Sequence, residues 1–101
     1  MKFTIKPNKR DNITTLTRKI GYRYLGKSER EEIVLVRPLE RGGYPRFHLF
    51  LTINPETQEL MFSLHLDQKR PVYKGAPAHA GDYEGGPVER EAERIKEILQ
   101  K

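Results

Sequence analysis

Two imidazoles, a carboxylate and a guanidinium fall on one side of a predicted strand pair: His48, His65, Asp67 and Arg46. Within residues 46–67, Phe47, Leu49, Leu51 and Ile53 alternate with Arg46, His48, Phe50 and Thr52. After the turn Asn54-Pro55-Glu56-Thr57, Leu60, Phe62, Leu64 and Leu66 alternate with Met61, Ser63, His65 and Asp67. Successive strand side chains point to opposite faces, so the pattern predicts a hairpin with one wholly apolar face. A loop over Pro55–Gln58 pairs Asn54 with Glu59, which sets His48 opposite His65 and Arg46 opposite Asp67. A slip of one residue would expose the apolar face to water.

Paired imidazoles beside a carboxylate can act as a general acid and base, and an arginine can steady charge developing on a phosphoryl group. His48, His65 and Asp67 are therefore candidate catalytic residues. With His79 and Asp82 they also offer nitrogen and oxygen donors to a metal, although His-x-Asp alone selects no metal. The plain structural alternative is a polar network that pins the segment after Asp67, with Asp67 paired to Arg46 across the strands. Whether the chain is an enzyme stays open, and no cofactor is implied.

A second chemistry comes from the loops. Arg37 ends one predicted strand and Arg46 begins the next, so loop 38–45 lies at one end of the sheet. Asp67 sits opposite Arg46, so the long segment 68–86 leaves from that same end. The rim so formed gathers Arg37, Arg41, Tyr44, Arg46, Lys69, Arg70, Tyr73, Lys74, His79 and Tyr83. Guanidinium forks match phosphate oxygens and tyrosines stack on bases, which predicts a site for nucleic acid, RNA before DNA, or for phosphorylated ligands. The alternative is that Pro71, Val72 and Tyr73 fold back over the sheet as a cover. Gly75–Gly86 holds no phosphate-loop pattern, and its glycines read as turn formers.

The elements that must position these residues follow from periodicity. Lys2–Lys6 predicts a short edge strand stopped by Pro7. Asp11 or Asn12 caps a helix over 12–20 with Ile13, Leu16 and Ile20 on one face, and Gly21 suits its left-handed end. Strands are predicted over Tyr22–Leu25, with a turn at Gly26-Lys27-Ser28, and over Glu32–Arg37. The continuous run Ile33-Val34-Leu35-Val36 suits a strand buried on both faces. Segment 68–86, with four glycines and two prolines, predicts no regular element. Pro87 opens a closing helix with Val88, Ala92, Ile95 and Leu99 as its apolar stripe, its charged residues solvated. The order (β)-α-β-β-β-β-α predicts one α+β domain over residues 1–101, an antiparallel meander with an N-terminal and a C-terminal helix on its apolar face.

Composition narrows the function classes. Residues 1–50 carry 12 Lys/Arg against 5 Asp/Glu, while residues 51–101 carry 7 against 9, for a net charge of +5. The basic half favours polyanionic partners such as nucleic acid, phosphorylated ligands or an acidic protein, and the alternative is a solvated basic surface. No apolar run reaches membrane-spanning length and Met1-Lys2-Phe3-Thr4 does not begin a signal peptide, so no membrane association is expected. The absence of cysteine removes disulfides and thiolate metal sites and fits a cytoplasmic location. Phe50 and Met61 on the otherwise polar face suit a covering segment or a second copy of the chain, making a homodimer or interaction module the third reading.

The run Leu16-Thr17-Arg18-Lys19-Ile20-Gly21-Tyr22, a short helix ending in Gly and entering the sheet, together with the closing helix, resembles double-stranded-RNA-binding-like domains. It is also similar in layout to HicA-type small RNase toxins and to small bacterial proteins of unassigned function. The resemblance implies the layout. Glu32-Ile33-Val34-Leu35 stands where the toxins carry Gly-Ser-His, so no catalytic residue is carried over.

Overall fold

The computed structural model describes residues 1–7, 11–68, 81–82 and 85–100. Chain order is β1 (Lys2–Ile5), α1 (Ile13–Ile20), β2 (Arg23–Lys27), β3 (Ile33–Pro38), β4 (Arg46–Ile53), β5 (Leu60–Asp67), β6 (Gly81–Asp82) and α2 (Gly86–Leu99). The sheet runs β1-β5-β4-β3-β2, every neighbouring pair antiparallel. This is the expected α+β architecture: a β2-β3-β4-β5 meander with β1 returning to its far edge. No helix among the described residues is long and apolar enough to cross a membrane.

Local chemistry explains the boundaries. Asn12 caps α1, its Oδ1 accepting from the Thr15 amide at 2.8 Å. Gly21 closes the helix at φ 78°, a left-handed conformation that glycine enters without a Cβ clash. The β4–β5 turn is held by Asn54 Oδ1, which accepts from the amides of Glu56 and Thr57, while the Asn54 amide donates to the Glu59 carbonyl at 2.9 Å. That turn sets the register, with Arg46 opposite Asp67 and His48 opposite His65.

Besides one-residue shifts at the ends of β1, α1, β2 and β3, three boundaries differ from the sequence expectation. Strand β2 continues through Gly26 and Lys27, because a bulge between Tyr24 and Gly26 absorbs the extra residue. The reversal falls at Ser28, whose Oγ accepts from the Arg30 and Glu32 amides. Segment 68–86 is not wholly irregular: Gly81 and Asp82 pair with Asp67 and Leu66. That bridge forms where the N-terminal segment stops: β1 covers Leu60–Ser63 of the outer edge of β5 and Met1 bonds to Leu64, which leaves the edge at Leu66 and Asp67 open to Gly81 and Asp82. The closing helix starts at Gly86, one residue before Pro87.

The core lies between the helices and one face of the sheet. Phe47, Leu49, Leu51, Leu60, Phe62, Leu64 and Leu66 are buried with Leu16 and Ile20 of α1 and with Val88, Ala92, Ile95 and Leu99 of α2. Adjacent residues Leu35 and Val36 are both buried, so β3 is covered on both faces at its centre, as its continuous apolar run implies.

Candidate functional site

The site is built on paired positions of β4 and β5, whose ladder fixes the backbone beneath each side chain. Arg46 and His48 stand on β4, and His65 and Asp67 directly across on β5. Asp67 joins the other three. Its Oδ2 accepts from Arg46 Nε at 3.2 Å and from His48 Nδ1 at 3.2 Å, and its Oδ1 lies 2.9 Å from His65 Nε2. The ring centroids of His48 and His65 lie 4.7 Å apart with the planes tilted by 55°, and Phe50 stacks on His48 at 4.6 Å. His65 is buried and His48 largely so, which places the pair in a drier setting than a surface strand offers.

Burial alone would raise the Asp67 carboxyl. Hydrogen bonds from His48 and His65, and the charge those imidazoles carry when protonated, outweigh it and hold the carboxyl well below the usual carboxylate range. An ionised carboxylate only accepts, so the ring nitrogens facing it carry protons. On His48 that leaves Nε2, which is buried with no hydrogen-bond partner. A buried polar atom in this state is unusual, since desolvation without a partner costs about 1–3 kcal/mol.

Beside this cluster the expected rim separates. The Arg46 guanidinium lies over the Tyr44 ring, 4.6 Å from its centroid. Arg41 is exposed in the loop between β3 and β4. Arg37 turns to the helix-covered face: it pairs with Phe47 in the ladder, and its Nη1 donates to Glu91 Oε1 of α2 at 3.3 Å. Lys69, Arg70, Tyr73, Lys74, His79 and Tyr83 lie outside the described residues, and so does the cover proposed for Pro71, Val72 and Tyr73.

Two features escaped the sequence reading. Glu91, expected at a solvated helix end, is buried and accepts from the Tyr22 hydroxyl at 2.7 Å and from Arg94 at 2.8 and 2.9 Å, besides Arg37. Burial first, and then the Glu91 charge, push the Tyr22 phenol far above its usual range. The signal was present, because position 91 follows Val88 by three and so falls on the apolar stripe. The other feature is a groove of about 630 Å³ between α1 and β2, where Ile13, Thr17, Tyr22, Tyr24 and Ile33 meet Arg18, Arg23 and Lys27. Its assembly depends on which face of α1 meets β2, which no local pattern records.

No family model, curated protein or solved structure matches this chain. Function is therefore read from the side chains themselves.

Proposed function

We propose that this chain binds polyanions, RNA before DNA, at the end of the sheet where loop 39–45 meets β4. The observation that supports this reading is the anchored guanidinium of Arg46. Its Nε is held by Asp67 and its plane rests over Tyr44, while its two terminal nitrogens have no hydrogen-bond partner among the described residues. A guanidinium already fixed on both sides gives up little side-chain entropy when it grips a phosphate. Arg41 supplies a second cation from the loop, and Tyr44 steadies Arg46 instead of standing free for a base. Lys69, Arg70, Tyr73, Lys74 and His79 join the same proposal only by their place in the sequence after Asp67.

The test is a salt titration with single-stranded and duplex oligoribonucleotides and their DNA counterparts. Affinity should fall steeply with added salt, and Arg46→Gln should lower the slope of log K against log salt by about 0.7–0.9, one phosphate contact. No detectable binding, or binding indifferent to salt, rejects the proposal.

A second reading, phosphoester cleavage, is favoured by the Asp67–His48 contact, which orients one imidazole as a carboxylate does in an acid–base pair. In it one of His48 and His65 takes the proton of an attacking water, the other protonates the leaving oxygen as the P–O bond breaks, and Arg46 steadies the developing charge. Turnover of a generic phosphodiester should vanish in His65→Ala with the fold retained. Unchanged turnover in that variant removes the reading.

A further inference from the structure

We propose that His48, His65 and Asp67 form a binding site for one borderline divalent cation, such as zinc or cobalt. One donor atom from each residue lies within 4.8 Å of the others, all three projecting from adjacent paired strands. The donors are two imidazole nitrogens and a carboxylate oxygen, a set that suits zinc, cobalt, nickel or iron better than calcium or magnesium, which prefer oxygen throughout. The separations fit: two donors about 2.1 Å from a shared ion and at right angles to one another stand about 3 Å apart. The ring nitrogens of His48 and His65 stand 3.2 and 2.9 Å from the Asp67 oxygens.

Two further observations point the same way. The protein's own groups do not satisfy the cluster, since His48 Nε2 is buried without a partner while Nδ1 faces Asp67. Coordination by Nε2 takes up the lone pair that hydrogen bonding inside the protein leaves unused, whereas coordination by Nδ1 replaces the hydrogen bond to Asp67 and moves the ring proton to Nε2. Arg46 then plays the part usual for a group behind a ligand, holding Asp67 Oδ2 and orienting the carboxylate while Oδ1 stays on the His65 side. The guanidinium also opposes the ion's charge, so the affinity expected is micromolar rather than that of a closed structural zinc site. Three protein donors leave coordination positions open.

Chelator-treated protein titrated with zinc chloride in a calorimeter should bind one ion per chain. His48→Asn and His65→Asn, shown to be folded by circular dichroism, should each raise Kd about tenfold or more. A second measurement uses the unaltered protein, in case either variant fails to fold. Cobalt should broaden the amide resonances of residues 46–50 and 63–67 before any others. Absence of binding, broadening centred elsewhere, or folded variants that bind as tightly as the parent chain would each overturn the proposal.

Discussion

Two carboxylates organise this domain, and they differ in their partners. Glu91 collects a phenol and two guanidiniums from β3, α2 and the segment entering β2, all groups whose charge state is constant across the neutral range. Asp67 collects two imidazoles and one guanidinium, and each imidazole has both a donor and an acceptor nitrogen when neutral. The first cluster joins elements distant in sequence, Tyr22 to Glu91 and Arg94 to the Ile20 carbonyl. The second joins neighbouring strands that the ladder already fixes, and it alone contains an unpartnered buried nitrogen. Cross-linking of the fold thus belongs to Glu91, while Asp67 ties together groups on one strand pair.

The largest effect expected of this contrast is on stability. Glu91→Gln should lower the free energy of unfolding by about 2–3 kcal/mol in urea melts, because it leaves two cations and a phenol facing a neutral group. Arg37 and Arg94 keep side-chain exposures of 34% and 33%, so they rehydrate partly and the loss stays below that of a fully buried pair. A loss under about 1 kcal/mol would break the comparison.

Asp67→Asn, in chelator-treated protein at pH 7, should cost about 1–2 kcal/mol. The folded carboxyl is held below its unfolded value of about 3.9, so its contribution is complete above that pH and drains away as the pH falls toward the folded value. The stability gap between parent and variant should therefore narrow below about pH 4. A gap that stays constant down to pH 3 contradicts a role for the ionised carboxylate.

Tyr22→Phe should cost about 1 kcal/mol at neutral pH, the worth of one hydrogen bond to a charged acceptor in a partly hydrated network. The sign of its pH dependence is opposite. The folded phenol is held above its unfolded value of about 10, so its contribution is complete below that pH and is lost as the pH rises further. Denaturant midpoints of parent and variant should converge in strong alkali. Smallest of all, Arg46→Gln should move stability by no more than about 0.5 kcal/mol, since its partner keeps both imidazoles. A larger loss would make Arg46 part of the scaffold and weaken its assignment as a ligand-binding group.

The hairpin was legible because alternation and the Asn54 turn act locally. The two-residue period assigns each side chain to a face, and the turn length fixes which residues meet. Arg37 was not, because the run Ile33–Val36 carries no alternation, so nothing in it says which face the next residue takes. Only pairing with β4 turns Arg37 toward α2. Glu91 was misread for another reason: a helical stripe with one carboxylate in it looks solvated until the guanidiniums of Arg37 and Arg94 neutralise it and the Tyr22 hydroxyl donates to it. The contacts around His48 depend on ring orientation within a register, which residue order does not encode.

The bulge in β2 has a consequence for how copies of the chain meet. This strand is the outer margin of the meander, and the two-residue rhythm of its backbone breaks between Tyr24 and Gly26. Arg23 and Lys27 sit at its two ends. A second molecule approaching side by side would find donors and acceptors out of step, and would bring like charges together. That margin is thus poorly matched to side-by-side pairing with a second copy, and concentrated salt, by muting the repulsion, is the condition under which the mismatch is smallest.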